Sequence, residues 1–175
     1  MIKQDILENL ANTVYLSIGS NLGNKIRNIE KTKYFLGKNL VKIIKTSNIY
    51  ETYSWPNREH PKFYNVVIKV VTKLKPLDLF FTIKKIEKIL GRKKAMKNNP
   101  RTCDIDILDY NGLNLKLEAN NNKLLIPHPR LHNRNFVLFP LFEIEKNWKH
   151  PSKKTKICDL IGKLDNSSLY SIKQI

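Results

Sequence analysis

The sequence predicts an α+β fold with its elements in the order β-α-β-β-α-β. Four segments show strand patterns, which are either alternating apolar and polar residues or runs of β-branched residues. Two segments carry apolar residues at helical spacing and end near a glycine. The chain has 175 residues, of which 41% are hydrophobic, and this length can bury one substantial core. We expect residues 1–12 to form an N-terminal extension and residues 13–175 to form a single domain.

The first strand and the first helix are separated by a turn that contains glycine. Thr13–Ile18 alternates apolar and polar side chains, which predicts a half-buried strand. The turn Gly19–Asn24 (GSNLGN) holds two asparagines, Asn21 and Asn24, that can cap a helix, and its glycines allow another group to approach closely. It lacks the spacing of a phosphate-binding P-loop. The apolar residues predicted to line the helix are Leu22, Ile26, Ile29, Leu36 and Leu40.

The remaining strands are predicted from their content of β-branched and apolar residues. The segment Tyr53–Lys62 has two prolines and mixed charges, which predicts a loop. Asn111 and Gly112 form a typical hairpin turn pair. The three further strands are predicted over Leu40–Thr52, Phe63–Thr72 and Arg101–Tyr110.

A second helix is predicted to begin at Pro76 and to end at Gly91. The basic loop Arg92–Asn99 follows it, and Phe136–Ile144 is predicted to be a helix or a compact turn. This order of elements indicates a ferredoxin-like, split-βαβ sandwich. The apolar residues of the second helix are Leu79, Ile83, Ile86 and Leu90.

The net charge of +17 raises the question of nucleic-acid binding, since 32 Lys and Arg face 15 Asp and Glu. Only six of the cations are Arg, and the chain is also rich in Ile and Asn, so a coding bias that spreads lysines over solvated faces explains the charge better. The chain has no apolar run of 18 residues and no apolar core of a signal peptide at its start. Its two cysteines do not form a disulfide framework. We expect a cytoplasmic, monomeric protein that binds neither nucleic acid nor membranes.

The segment PRTCDIDIL, residues 100–108, contains the strongest candidate site. On a strand, Asp104 and Asp106 point to one face while Ile105 and Ile107 point to the other. Two carboxylates at this spacing can bind divalent cations, although paired aspartates on an exposed strand face are also common without any ligand. Arg101 and a lysine-rich loop nearby favour a site that holds a nucleoside triphosphate through Mg²⁺.

Two other features are weaker candidates. Phe63 and Asn65 share a strand face, where a ring could stack on a flat heterocycle while an amide reads its edge, but without other information ordinary strand composition explains them better. His128 lies between two prolines, and its spacing from His132 is unsuitable for structural zinc.

Five blocks together resemble 6-hydroxymethyl-7,8-dihydropterin pyrophosphokinase, a family that transfers diphosphate from ATP to a pterin alcohol in folate biosynthesis. The resemblance extends from about Tyr15 to about Ile161 and implies a three-layer α-β-α sandwich. The chain shows no fused segment of another folate enzyme, so the resemblance implies a monofunctional enzyme. The blocks are IGSNLG, YETYSW with FYN, IEKILGR, PRTCDIDIL and PHPRLHNRNFVLFPLFEI.

The resemblance also implies a role for individual residues. Asp104 and Asp106 match the pair that binds two Mg²⁺ ions bridging the ATP phosphates, and with Arg92 and Arg101 they are the expected catalytic residues. The residues expected to bind the pterin are Thr52, Phe63, Asn65, Phe136 and Asp104. The residues expected to bind ATP are Arg92, Lys94, Arg101, Ile107, His128 and Arg134.

The chain departs from the family in the loop after Gly91, which is one residue shorter and has Asn98 and Asn99 where a Trp is usual.

Two other function classes remain open from the residues alone. A single-stranded RNA-binding module would use strand aromatics and lysines, but carboxylates on the sheet face repel phosphates. A two-metal nuclease would use the same aspartate pair.

Overall fold

The computed structural model describes residues 11–92, 98–119 and 122–175, which form eight strands and five α-helices. Lys94 and most of the predicted N-terminal extension lie outside these residues. Among the described residues, no helix has the length and apolar content that a membrane span requires. A short 3₁₀ turn, Leu131–Asn133, precedes α3. The elements are β1 Asn12–Ser20, α1 Lys25–Lys38, β2 Val41–Thr46, β3 Tyr50–Thr52, β4 Phe63–Thr72, α2 Pro76–Ile89, β5 Asp104–Tyr110, β6 Leu115–Ala119, β7 Asn122–Ile126, α3 Asn135–Ile144, α4 Ile157–Ile161, α5 Asn166–Tyr170 and β8 Ile172–Gln174.

The main sheet has six strands, and all of its pairings are antiparallel. β1 lies between β5 and β4, and β4 pairs with both β2 and β3 on its other side. β8 continues the sheet beyond β3, while β6 and β7 form a separate hairpin. This order is that of a ferredoxin-like sheet in which the second strand is divided into β2 and β3, and it confirms the predicted fold class.

Alternation along β1 separates the two faces of the sheet. Leu16 and Ile18 face α1 and α2, where they pack with Ile29, Leu79 and other fully buried residues. On the opposite face, a second buried cluster joins Tyr15 to α3. Each fully buried Leu or Ile contributes about 1.5–3 kcal/mol of hydrophobic stabilisation. Helices therefore cover both faces, and the chain is a three-layer α-β-α sandwich as predicted.

The predicted second strand is interrupted at Ser47, so Leu40–Thr52 is not one strand. The backbone amide of Ser47 donates to the carbonyl of Val67 at 2.9 Å, and its hydroxyl accepts from the amide of Val67 at 3.0 Å. The serine side chain thus takes a place that a ladder carbonyl would occupy, and the strand divides there into β2 and β3.

The predicted apolar face of α1 is only partly correct. Ile29 and Leu36 are fully buried, but Leu22, Ile26 and Leu40 are exposed. Leu22 and Leu40 lie outside the helix. Within it, Thr32 takes the buried position beside Ile29, since its hydroxyl donates to the carbonyl of Asn28 at 2.8 Å. Asn24 is the N-cap and accepts from the amide of Arg27 at 2.9 Å.

Two other predictions need correction near β5. The strand begins at Asp104 and not at Arg101. Asn111 and Gly112 do form a tight turn, with positive φ at both and a 3.0 Å hydrogen bond from the amide of Leu113 to the carbonyl of Tyr110. The strand after the turn nevertheless pairs with β7 and not with β5. The tight turn at Asn111 and Gly112 follows from these two residues and was predictable, whereas the strand with which β6 pairs depends on tertiary packing.

Candidate functional site

A cavity of about 490 Å³ lies on the α3 side of the sheet. Gly19 of β1, Thr52 of β3 and Asp104 of β5 contribute to its floor, and loop residues such as Trp55 and Arg130 form its rim. Six further residues that were predicted to bind the pterin, ATP or metal also line this cavity: Phe63, Asn65, Arg101, Asp106, Arg134 and Phe136.

Asp104 and Asp106 both face this cavity, as the alternation of β5 predicts. Asp104 lies opposite Gly19 and Asp106 opposite Ser17 in the pairing with β1. Ile105 between them is 3% exposed and belongs to the core on the opposite face. The strand therefore separates a carboxylate pair from the hydrophobic core by its period of two.

Two arginines neutralise Asp104. Arg92 donates from Nη1 to Oδ1 of Asp104 at 2.7 Å, and Nε of Arg101 lies 3.5 Å from Oδ2. Nε of Arg101 is buried and has no hydrogen-bond acceptor among the described residues. A buried guanidinium N–H without an acceptor indicates a place for an anionic ligand beside Asp104.

Glu87 of α2 contacts Arg92, and it was not among the residues predicted for the site. Its side chain is 3% exposed, and one oxygen, Oε1, accepts from the amide of Ile105 at 2.9 Å and from Arg92. The other oxygen accepts from Lys84 at 2.9 Å. Its position four residues after Ile83, on the buried face of a helix, is a signal that could have found it, because a buried carboxylate requires partners.

Asp106 has a separate pair of partners, Arg134 and His128. Arg134 donates to its Oδ2 at 2.9 Å, and Nε2 of His128 lies 3.7 Å from the same oxygen. Burial raises the pKa of Asp106, but His128 and Arg134 offset that effect and hold the pKa below its usual value. Asp106 is therefore an ionised carboxylate at neutral pH.

Phe63 and Phe136 line the cavity, and each lies beneath an arginine. The guanidinium carbon of Arg101 is 5.6 Å from the centre of the Phe63 ring, and that of Arg134 is 5.4 Å from the centre of the Phe136 ring. Each of these two arginines thus contacts one ring and one carboxylate. Arg101 and Arg134 therefore link the aromatic rings of the cavity to its carboxylates.

Asn65 and Thr52 form a buried polar pair at the cavity floor. Nδ2 of Asn65 donates to Oγ1 of Thr52 at 3.0 Å. Gly19 is required beside them, because a Cβ at this position would lie 3.1 Å from Oδ1 of Asn65 and 3.4 Å from the ring of Phe63. The prediction that a glycine of this turn allows another group to approach closely is confirmed at Gly19.

Asn21, which the sequence suggested as a possible helix cap, instead joins three segments around the cavity. It is 1% exposed. Its Oδ1 accepts from the amide of Arg101 at 2.7 Å, and its Nδ2 donates to Oγ of Ser54 and to the carbonyl of Pro61, both at 3.1 Å. Asn21 therefore positions the backbone of Arg101 against the loop that follows β3.

Not every predicted site residue reaches the cavity. Ile107 is 5% exposed and packs in the core on the α1 and α2 side. Arg92 does not line the cavity but donates a hydrogen bond to Asp104, which does. His128 lines a second cavity, and its Nε2 faces Asp106. Lys94 lies outside the described residues. Within the described part of the chain, no group of three or more His, Cys, Asp or Glu side chains is placed to hold a metal ion.

The α-β-α sandwich thus holds a pair of carboxylates and two aromatic rings in one cavity. The family model for 7,8-dihydro-6-hydroxymethylpterin-pyrophosphokinase (HPPK) matches residues 15–146. This chain therefore belongs to the HPPK family, whose members are ATP-dependent pyrophosphokinases.

Both short relatives and much longer relatives match this chain. The 2-amino-4-hydroxy-6-hydroxymethyldihydropteridine pyrophosphokinase of Aquifex aeolicus is 44% identical over 144 residues, which are 79% of this chain and 84% of that protein. The folic acid synthesis protein FOL1 of Dictyostelium discoideum is 46% identical over 141 residues, 81% of this chain but 21% of the relative. The chain thus spans about a fifth of the length of the folic acid synthesis proteins of Dictyostelium discoideum and Pneumocystis carinii.

Solved structures support the fold. A crystal structure of Plasmodium falciparum HPPK-DHPS superimposes with a TM-score of 0.75 at 20% identity, over 94% of this chain and 46% of that one. At this identity the similarity concerns the fold alone.

Proposed function

We propose that this chain transfers diphosphate from ATP to the hydroxymethyl group of 6-hydroxymethyl-7,8-dihydropterin and releases AMP, as a step of folate biosynthesis. The observation that carries the proposal is one cavity that holds two carboxylates and two aromatic rings, with three arginines paired to the carboxylates. Family membership supports the same reaction. The cations suit a triphosphate, and the rings suit a flat heterocycle.

The carboxylate pair fits Mg²⁺. Asp104 and Asp106 supply hard oxygen donors on one strand face, and Mg²⁺ commonly takes one or two carboxylates and completes its shell with water and substrate phosphates. Two ions bound there would neutralise the charge of the triphosphate and orient it.

Arg92, Arg101, Arg134 and His128 are proposed to contact the phosphates. All four already face Asp104 or Asp106, so a phosphate chain bound at the carboxylates through Mg²⁺ would lie within their reach. Nε of Arg101 is in an ion pair with Asp104 at 3.5 Å but forms no hydrogen bond with the described residues, so its N–H is available to a phosphate oxygen. The three arginines would stabilise the charge that moves towards the leaving AMP during transfer, and His128 would supply a hydrogen bond.

The pterin is proposed to bind between Phe63 and Phe136, with Thr52 and Asn65 at its edge. Asn65 and Thr52 are 3% and 6% exposed, so their polar groups have few partners other than each other and a ligand in the cavity. Asp104 lines the same cavity, so a pterin bound between the rings could present its hydroxymethyl oxygen to a phosphate chain held at Asp104. In-line attack of this oxygen on the β-phosphorus forms the new O–P bond as the bond to AMP breaks.

The loop of residues 53–62 is proposed to close over the bound substrates. Trp55 lines the cavity although it is 70% exposed, and Arg58 lines the cavity from the same loop. Covering the cavity with this indole would exclude water from the phosphates and prevent wasteful hydrolysis.

The test is the formation of AMP from ATP and Mg²⁺ with and without the pterin. We expect AMP only in the presence of 6-hydroxymethyl-7,8-dihydropterin. The 6-methyl analogue, which lacks the hydroxyl nucleophile, is the matched control and should give none. AMP formation that is independent of the pterin, or formation of ADP instead of AMP, contradicts the proposal.

A further inference from the structure

The C-terminal segment, residues 165–175, forms part of the cavity although it lies beyond residues 15–146, where the family model matches. Its residues Ser167, Ser168 and Ser171 line the cavity. The segment comprises α5 and β8, and β8 pairs antiparallel with β3, so that Ile172 lies opposite Thr52. One end of the segment is therefore attached to the strand that carries the polar floor of the cavity.

The other contact of the segment is with the start of α3. Asn135, the first residue of α3, is 8% exposed. Its Nδ2 donates to the carbonyl of Ser168 at 2.6 Å and to Oγ of Ser171 at 3.0 Å. Its Oδ1 accepts from the backbone amide of Phe136 at 2.7 Å. A single buried amide thus connects the C-terminal segment to the backbone of the aromatic residue on the cavity wall.

The segment has the local order that such a contact requires. Asp165 caps α5 and accepts from the amide of Ser168 at 2.7 Å and from the hydroxyl of Ser167 at 2.6 Å. The hydroxyl of Ser171 donates to the carbonyl of Ser168 at 3.1 Å while it accepts from Asn135. The carbonyl and the hydroxyl that Asn135 contacts are therefore held in place by the turn itself.

We propose that Ser171 and Asn135 are positioning residues that hold Phe136 in the orientation that stacks on the pterin, and that the C-terminal segment closes the pterin end of the cavity. This role rests on the proposed function. Without the hydroxyl of Ser171, the amide of Asn135 loses an acceptor and the start of α3 is less constrained. The effect should fall on the pterin and not on ATP, because the segment contacts neither Asp104 nor the arginine pair around it in the described structure.

The experiment compares the KM for the pterin, the KM for ATP and kcat in four variants. Ser171→Ala should raise the pterin KM about three- to tenfold, the range expected for one net hydrogen bond, with kcat and the ATP KM within twofold of wild type. Asn135→Asp removes the Nδ2 group that donates to Ser168 and Ser171, at nearly constant volume, and should raise the pterin KM further. Ser171→Thr, which keeps the hydroxyl, should restore the wild-type KM. Ser152→Ala, at an exposed serine away from this cavity, is the control.

The outcomes separate this role from the proposed reaction. Wild-type protein that forms no pterin-dependent AMP contradicts the proposed function and this role together. An active wild type with an unchanged pterin KM in both Ser171→Ala and Asn135→Asp contradicts the positioning role alone. Equal rises in the pterin and ATP KM, without rescue by Ser171→Thr, would show general structural damage and also overturn it.

Discussion

Arg134 donates a 2.9 Å hydrogen bond to Asp106. The same guanidinium lies 5.4 Å from the centre of the Phe136 ring, so one cation joins a proposed metal-binding carboxylate to a proposed pterin-stacking ring. Arg101 repeats the arrangement between Asp104 and Phe63. Each arginine therefore lies between the proposed metal-binding part of the cavity and the proposed pterin-binding part.

Replacement of either cavity carboxylate should abolish transfer without unfolding the protein. Asp104→Asn and Asp106→Asn each remove a charge at nearly constant volume, and each should lower pterin-dependent AMP formation by about 100-fold or more, the scale of losing one preorganised electrostatic group. The rate of AMP formation at saturating ATP and pterin is the measurement. Asp159→Asn, on the exposed side of α4, is the matched control. Full activity in either cavity variant would show that the metal assignment is wrong.

Glu87→Gln should destabilise the protein through the buried contacts below Arg92. The substitution removes the anion that faces Lys84 and one of the two carboxylates that face Arg92, which keeps its contact with Asp104, and the loss of hydrogen bonds to a charged group should cost about 1.5–3 kcal/mol. The free energy of unfolding in urea measures the effect. Glu30→Gln is the control. The side chain of Glu30 is 59% accessible and pairs with Lys33, so its loss should cost less than about 1 kcal/mol. Similar losses in the two variants would contradict a special role for Glu87.

Gly19→Ala should weaken pterin binding, because its new Cβ would press on Asn65 and Phe63. A contact of 3.1 Å must displace Oδ1 of Asn65, and such overpacking costs about 1–3 kcal/mol. We expect an increased pterin KM with an unchanged ATP KM. Gly37→Ala is the control: nothing lies within 4 Å of its added Cβ in α1, so it should stabilise the protein by about 0.5–1 kcal/mol. A pterin KM unaffected by Gly19→Ala would contradict the close approach.

His150 should make stability fall in mild acid. Burial, together with nearby His132 and Lys153, lowers the pKa of His150 to about 4 from the usual 6.5. Between these values the unfolded chain binds the proton and the folded chain does not, so the free energy of unfolding falls as the pH drops from 6.5 towards 4. Protonation also removes Nδ1 as the acceptor for the amide of Ser152 at 3.2 Å.

The measurement is the free energy of unfolding against pH for His150→Asn, whose side-chain oxygen keeps an acceptor near Nδ1 but does not titrate. The variant should lose part of the pH dependence over this range. The rest remains because burial also lowers the pKa of His128 and of His132. His60→Asn, in the loop before β4, is the control and should keep the wild-type slope. An unchanged slope in His150→Asn would contradict the assignment.

The predictions that proved correct depend on neighbours close in sequence. The period of two along a strand placed Asp104 and Asp106 on one face and Ile105 on the other, and Asn24 caps the helix that begins at the next residue. These features follow from backbone geometry over a few residues. Where a tertiary contact competes with the local pattern the prediction was wrong, as at Ser47, whose side chain bonds to Val67 and interrupts the strand.

The sequence by itself therefore determined the fold class, the carboxylate pair and the family of this protein. Only the tertiary structure showed that Glu87 lies beneath Arg92, that Asn21 holds the backbone of Arg101, and that the C-terminal segment reaches Asn135. These contacts join residues up to 80 positions apart. Their polar groups are ordinary in composition and become distinctive only when folding buries them, because burial obliges each donor and acceptor to find a partner.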